Sequence, residues 1–311
     1  MKNFLWLFVF LGPLAATQEI RYRTSVYVDT HYRWSDDGQS TLLLSEAAFM
    51  PRVYLGDSSF ISFDLAIASN PTGTFSDFPT FDQKALQAYF FTSIGARLYV
   101  KGGLFDSLLG YESLNLAKSD FASFSNLKKD YLSRKHLGIM LGYELSELIS
   151  AEFFFSNPEG QQRVQDSTAN FDYGFRFIGD SEDYFFALGG VFNRQVSQSW
   201  EMLFDIYFGG RFNNLNYAFD FIMSRDSAKD WKMGLMGTLS HSLSSKWDLA
   251  LRGEYLSEEL LNNDKYWAMA TSLKYIFNHG FQMKLEYQLK HFESKGLQNQ
   301  IALSLLKTLD F

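Results

Sequence analysis

The side chains in this sequence that could bind a metal or act as a general base, 35 acidic residues and five histidines, show no recognisable catalytic or metal-binding spacing. Cysteine is absent, which excludes thiolate nucleophiles and cysteine metal sites. No Gly-x-Ser-x-Gly nucleophile motif occurs, and no pair of histidines has the spacing of metal ligands on one helix. We therefore predict no enzyme, no metal and no cofactor. The histidines are His31, His136, His241, His279 and His291.

The chemistry that the sequence does offer is a set of charged side chains on predicted polar strand faces. Rings of such charges can select ions in an aqueous pore. Their mixed signs predict weak selectivity, and ion pairing across the wall is the alternative role for most of them. These residues are Arg97, Lys101, Arg134, Arg176, Arg252, Glu254, Lys274, Lys284, Glu286 and Lys290.

Long runs of alternating polar and apolar residues would position these charges. Between Ile20 and Trp34, the even positions are mostly apolar or aromatic, and the odd positions include Arg21, Arg23 and Asp29. A period of two places each set on one face of a β-strand. The same alternation occurs in 171–177, 247–255, 281–290 and 300–311, where Leu306 and Lys307 are out of phase. Many runs reach the ~9–11 residues that cross a membrane as a tilted strand.

The runs are separated alternately by short turns and by longer polar links. Such an arrangement is typical of bacterial outer-membrane barrels, which have an even number of strands. The sheet must close, because an unpaired strand edge in lipid costs several kcal/mol per backbone group. We predict an all-β fold: a closed antiparallel transmembrane β-barrel of about 16 strands, or 14 if a hairpin near 40–60, 93–96 or 209–214 is absent. The predicted strands are 20–34, 40–54, 60–69, 84–93, 96–104, 134–144, 149–156, 169–178, 184–194, 199–209, 214–223, 231–241, 247–257, 265–277, 281–291 and 298–311.

Composition and the N-terminal segment agree with a secreted barrel. Aromatic residues make up 18% of the chain and favour strands, whereas a net charge of -7 argues against nucleic acid as a partner. Lys2, the apolar run 4–11 and the break at Gly12-Pro13 have the order of a secretory signal peptide. We predict a signal peptide over 1–16 and a single barrel domain over 17–311, located in the outer membrane of a Gram-negative-type bacterium.

Aromatic residues near the predicted strand ends indicate contact with membrane interfaces. Phe311 ends the last alternating run, as in outer-membrane barrels whose terminal strand is recognised by the barrel assembly machinery. Outer-membrane lipid and that machinery are therefore predicted partners. The girdle candidates are Tyr32, Trp34, Trp200, Trp231, Trp247, Tyr266 and Trp267.

Three short segments carry a family resemblance. Gly103-Leu104-Phe105, Leu109-Gly110-Tyr111-Glu112, and Ser133-Arg134 followed by His136-Leu137-Gly138 resemble the pattern of outer-membrane β-barrel porins of the OmpL-like type. The resemblance in sequence motifs covers residues 99–157. Elsewhere the chain shares with these porins only the barrel architecture. It implies a passive porin and brings no particular substrate with it.

The longest link, 105–133, joins the fifth and sixth predicted strands. In general porins the loop at this place folds into the lumen and narrows it. By this analogy the link supplies constriction residues, and a solvated external loop is the alternative. The charged candidates in and beside it are Asp106, Glu112, Asp120, Lys128, Lys129, Asp130 and Arg134.

The predicted function is a passive, water-filled channel for the diffusion of small hydrophilic solutes, without a cofactor. A structural or receptor barrel and a barrel-type lipid-modifying enzyme are the alternatives. The sequence leaves the oligomeric state open, with a homotrimer among the arrangements that porins adopt.

Overall fold

A computed structural model describes residues 20–36, 40–69, 81–106, 109–111, 119–122, 125, 127, 135–157, 172–194, 200–225, 231–257 and 264–310. The predicted signal peptide and Phe311 lie outside these residues. Among the residues described, no helix has the length and apolar character needed to cross a bilayer.

The described residues form sixteen strands. They are β1 (Ile20–Ser35), β2 (Ser40–Leu55), β3 (Ser59–Ser69), β4 (Phe81–Ile94), β5 (Leu98–Asp106), β6 (Lys135–Glu144), β7 (Ile149–Asn157), β8 (Asp172–Asp180), β9 (Tyr184–Arg194), β10 (Trp200–Phe212), β11 (Leu215–Arg225), β12 (Trp231–Ser242), β13 (Trp247–Leu256), β14 (Tyr266–Ile276), β15 (Phe281–Phe292) and β16 (Gly296–Asp310).

Every strand pairs with its sequence neighbours, and β1 pairs antiparallel with β16 to close the barrel. Tyr27 lies opposite Thr308 in that closing ladder. Closure leaves no strand edge with unpaired backbone groups, and a sheet is stable in lipid only when it has no such edge. The prediction of a 16-strand barrel is confirmed, and the 14-strand alternative is wrong because all three uncertain hairpins are formed.

One end of the barrel, which we call the short-turn end, has only short turns. The other, the loop end, has all the longer links together with the short links 36–39 and 293–295. The short turns are 56–58, 95–97, 145–148, 181–183, 213–214, 243–246 and 277–280, the last with a 3-10 helix at Asn278–Gly280. β1 begins and β16 finishes at this same end, as an even number of strands requires.

The two faces of the barrel differ in chemistry. On β6 and β7, Leu137, Ile139 and Phe153 are exposed on the outside, whereas the alternate residues His136 and Glu152 are buried inside. A polar interior behind an apolar outer band is what a membrane barrel requires. The alternation predicted for β8, β13 and β15 is found, with their odd-numbered residues facing outward.

Leu306 and Lys307 break the alternation of β16 in the predicted way: apolar Leu306 is buried inside against Tyr27, and charged Lys307 faces outward with Nζ 4.4 Å from the ring centroid of Phe281. One prediction about phase needs correction. Tyr266 is wholly buried inside the barrel, so it is no part of an outer girdle. Trp267, the next residue, is on the outer face, because neighbouring residues of a strand point to opposite faces.

The other described girdle candidates are partly exposed near strand ends on the outer face. Tyr32, Trp34, Trp231 and Trp267 lie at the loop end, and Trp247 lies at the short-turn end. The side chain of Trp200 lies outside the described residues. Aromatic side chains at both ends of the outer apolar band match two membrane interfaces.

Candidate functional site: a loop segment anchored inside the barrel

Part of the link between β5 and β6 lies inside the barrel. We call its described residues, 109–111, 119–122, 125 and 127, the inner loop. Its polar contacts reach β10 and β11 at one side and β13, β14 and β15 at the other. This part of the predicted loop therefore lies against the inner wall and not in external solvent.

Two aspartates hold the first part of the inner loop. The N–H of Gly110 donates to Oδ2 of Asp205 at 2.7 Å, and the N–H of Tyr111 donates to Oδ2 of Asp220 at 3.0 Å. Both carboxyl groups are almost fully buried. The Tyr111 ring also stacks on Phe185, with centroids 5.2 Å apart and planes 3° apart. Consecutive backbone amides thus meet acceptors on neighbouring strands.

Lys274 on β14 holds the second part through Asp120. Its ammonium donates to Oδ1 of Asp120 at 2.6 Å and lies 2.9 Å from Oδ2 of Asp248. The hydroxyl of Ser272 donates to the carbonyl oxygen of Asp120 at 2.8 Å. Asp120 is therefore bound through both its side chain and its backbone.

A third set of contacts surrounds Phe121 and Ala122. The N–H of Ala122 donates to Oε2 of Glu286 at 2.7 Å. The guanidinium of Arg252 lies 4.5 Å from the Phe121 ring centroid, and one of its nitrogens is 3.9 Å from Glu286. Lys284 approaches the Phe121 carbonyl oxygen at 3.5 Å. Buried charges of opposite sign lie beside one another here, which limits the cost of taking these groups out of water.

Two wall glycines make room for leucines of the inner loop. Leu109 occupies the space beside Gly189, and Leu127 occupies the space beside Gly234, where a Cβ would collide with it. Leu109 and Leu127 join the apolar cluster that includes Ile222 and Leu256. The N–H of Leu127 also points to Oε2 of Glu254 at 3.4 Å. Apolar packing and hydrogen bonds together fix the inner loop to this side of the wall.

The predicted charged residues fall into three groups. Arg252, Glu254, Lys274, Lys284 and Glu286 all face the interior beneath the inner loop. Lys101 and Arg176 also face inward but away from those contacts. Lys290 has the same inward phase on β15, whereas Arg97 is exposed in the turn between β4 and β5. The side chain of Asp106, and residues Glu112, Lys128, Lys129, Asp130 and Arg134, lie outside the described residues.

Lys101 and Arg176 have defined partners in the interior. The ammonium of Lys101 lies 4.1 Å from the ring centroid of Tyr89. Arg176 forms a close ion pair with Glu152 at 2.6 Å, and the Tyr99 hydroxyl donates to the other oxygen of Glu152 at 2.6 Å. These contacts link β5, β7 and β8 across the inner face.

Sequence reasoning missed Asp205 and Asp220, the two acceptors at the start of the inner loop. Their alternation with outward Ile206 and Phe219 would have placed them on the inner face. Nothing in the local sequence indicated that they accept hydrogen bonds from the backbone of Gly110 and Tyr111.

Ser156, His136 and Asp172 come together inside the barrel. Nδ1 of His136 is 3.0 Å from the Ser156 hydroxyl oxygen and 3.7 Å from Oδ2 of Asp172. A catalytic triad uses one imidazole nitrogen for the nucleophile and the other for the acid. Here both partners approach the same nitrogen, and all three side chains are buried. No grouping of three or more potential metal ligands occurs in the described part of the chain.

Comparison with known proteins gives one family and a set of similar folds. A family model described as beta-barrel porin-2, OmpL-like, matches residues 59–306. No curated protein sequence matches the chain.

Several solved structures share the barrel. The trimer form of in-vitro folded OmpT, an outer membrane protein of Vibrio cholerae, is 10% identical with a TM-score of 0.68 over 94% of this chain and 100% of that one. The anion-selective porin from Comamonas acidovorans is 12% identical with a TM-score of 0.67 over 94% and 100%. Salmonella typhi OmpF in complex with daunomycin is 10% identical with a TM-score of 0.67 over 94% and 98%. At these identities the likeness is one of fold.

Proposed function

Because the chain belongs to the beta-barrel porin-2, OmpL-like family and is an outer-membrane channel for small solutes, we propose that solutes cross it by passive diffusion through a lumen narrowed by the inner loop. The observation that carries this proposal is the anchoring of that loop to one side of the wall. Its acceptors, Asp205, Asp220 and Glu286, all lie on strands between β10 and β15. Solute then passes along the remaining inner face.

The anchoring divides the predicted pore-lining residues into two roles. Arg252, Glu254, Lys284 and Glu286 are nearly inaccessible to solvent, so we assign them to holding the loop. Lys274, bound to Asp120, has the same role. Lys101 and Arg176 keep partial exposure, and we assign them to the water-filled passage. Arg97 lies at its short-turn mouth.

Recording single channels in planar lipid bilayers tests this function. Purified protein is expected to give discrete conductance steps that increase with salt concentration and need no added cofactor. A protein that inserts as a folded barrel and yet gives no steps would contradict the channel function. Folding is checked separately by the shift in migration between unheated and boiled protein on denaturing gels.

We propose that the barrel has no catalytic role. The cluster of Ser156, His136 and Asp172 lacks the two-sided imidazole geometry of a triad, and the three side chains are buried. It serves instead to pair polar groups of β6, β7 and β8. A lipid-modifying enzyme would need a reactive serine that substrate can reach.

The assembly proposals concern the outside of the barrel and the chain ends. We propose that residues 1–16 are removed on export, that β16 and the Phe311 that follows it in sequence engage the barrel assembly machinery, and that the barrel forms a homotrimer in outer-membrane lipid. The trimer form of OmpT, with a similar fold, supports the last point. N-terminal sequencing of the mature protein tests the removal of residues 1–16. Export of a variant that lacks Phe311 tests recognition by the assembly machinery, and the native mass in mild detergent tests the trimer.

A further inference from the structure

Two arginines lie side by side on the inner face of β1 and β2. Arg23 and Arg52 are directly opposite one another in the antiparallel ladder. Cross-strand neighbours have Cβ atoms ~4.5–5.5 Å apart, and like charges at this distance destabilise the pairing. Arg21 lies on the same face, and its guanidinium is paired with Asp57 at 2.6 Å. Within the described residues, no carboxylate forms an ion pair with Arg23 or Arg52.

A row of aromatic rings continues from this pair across β2, β3, β4 and β5. Ring centroids are 5.8 Å apart from Tyr54 to Phe60, 4.9 Å from Phe60 to Phe91, and 5.4 Å from Phe91 to Tyr99. All four residues are partly exposed. The inner face of a porin-type barrel is normally polar, so partly exposed aromatic rings on this face indicate a site for an aromatic or apolar group of a solute.

The arginine pair and the aromatic row form one surface. The guanidinium of Arg52 lies 4.7 Å from the ring centroid of Phe60. Tyr89 meets Phe60 edge to face at 6.1 Å, and the ammonium of Lys101 lies 4.1 Å from the Tyr89 ring centroid. Cationic groups therefore lie at both sides of an aromatic floor.

This surface lies near the short-turn end and on the side opposite the inner loop's anchors. Arg23 is the fourth residue of β1, and Phe60 is the second residue of β3. At ~3.3 Å per residue both lie within about 10 Å of that end of the barrel. The described anchors of the inner loop lie on β9 to β15, and none of them involves Arg23, Arg52, Phe60 or Phe91. Tyr89 and Tyr99 lie at the edge of the surface, where they pack against the apolar cluster that includes Leu109.

We propose that this surface is a binding site for small aromatic carboxylates on their way through the channel. Arg23 and Arg52 hold the carboxylate, because a guanidinium fork matches its two oxygens. The ring of the solute packs on the aromatic row, where offset and edge contacts are favourable. The bound anion also relieves the repulsion between the two guanidinium groups. The proposal rests on the channel function proposed above.

Blocking of single-channel current by benzoate tests the site. Benzoate added at the short-turn side is expected to reduce the potassium chloride current of the wild-type channel in a concentration-dependent way. Acetate has the charge without the ring, and benzyl alcohol has the ring without the charge. Both are expected to block about ten-fold less well at equal concentration, because each keeps only half of the interaction.

Three variants separate the two halves of the site. Arg23→Gln combined with Arg52→Gln is expected to weaken the benzoate block about ten-fold or more. Phe60→Leu combined with Phe91→Leu is expected to weaken the benzoate block while leaving the weak acetate block unchanged. Lys307→Gln is the control, because it removes one positive charge at the same end of the barrel but on the lipid-facing side.

The outcomes distinguish failure of the site from failure of the channel. Conducting wild-type channels in which benzoate and acetate block equally would overturn the site, as would equal benzoate block in the arginine variant and in Lys307→Gln. If the double arginine variant does not fold, Arg52→Lys replaces it, and unchanged block by benzoate would then count against the guanidinium role. Wild-type barrels that give no conductance would overturn the channel function itself.

Discussion

The backbone N–H of Ala122 donates to Oε2 of Glu286 across 2.7 Å, although the two residues are 164 positions apart in the chain. Glu286 projects from the middle of β15, and Ala122 belongs to the inner loop. Both are buried, and Arg252 lies beside the same carboxylate. A single acidic side chain thus serves as acceptor for the loop and as counter-charge for the wall.

Glu286→Ala is expected to loosen the inner loop and to lower the free energy of unfolding by about 3 kcal/mol, because a buried amide and a buried guanidinium lose their partner. Single-channel currents should become larger and noisier. Chemical unfolding in detergent micelles measures the stability, and planar bilayers measure the current.

The control for this change is Glu293→Ala. Glu293 forms an exposed ion pair with Lys265 at 3.7 Å, and such pairs contribute less than about 1 kcal/mol. Equal effects of the two substitutions, or an unchanged current in Glu286→Ala, would show that the loop is not held through Glu286.

Gly234→Val tests the packing of the inner loop. A side chain at this position would collide with Leu127. We expect a loss of about 1–3 kcal/mol from overpacking and a smaller single-channel conductance, because the loop is pushed toward the middle of the lumen. The matched control is Gly253→Val, where no atom lies within 4 Å of the new Cβ. Wild-type conductance in Gly234→Val would contradict the arrangement.

Ile139→Arg tests which face meets lipid. Ile139 lies at the middle of β6 and is exposed outside. A charge at the middle of the apolar band costs about 2–4 kcal/mol, so the variant should unfold at lower denaturant concentration and insert poorly into vesicles. Ile139→Leu should behave as wild type. An arginine variant as stable as the wild type would mean that this face does not contact hydrocarbon.

A fluorophosphonate probe tests the absence of serine chemistry. The probe should leave Ser156 unmodified in the folded barrel, because the His136 imidazole shares one nitrogen between Ser156 and Asp172 and the cluster is buried. The measurement is mass spectrometry of the treated protein, with Ser156→Ala as the comparison. Modification of Ser156 that disappears in the alanine variant would revive the enzyme hypothesis.

The sequence predicted the strands well because their signal is local. Each membrane strand has an apolar face toward the lipid and a more polar face toward the interior, so the period of two is present within each run. The predicted bounds of β7 and β9, 149–156 and 184–194, agree with Ile149–Asn157 and Tyr184–Arg194. Where two neighbours are both aromatic, as at Tyr266 and Trp267, the local pattern cannot assign the face, and the pairing with β13 and β15 decides it.

The sequence by itself thus determined a closed barrel of about 16 strands, its two chemically distinct faces and the position of its longest link, and the structure excluded the 14-strand alternative. Tertiary structure alone decided which charges hold that link and which face the passage. The contacts of Gly110 with Asp205 and of Ala122 with Glu286 join residues about a hundred or more positions apart. Such contacts depend on the register of closure around the whole barrel, and no local spacing encodes that register.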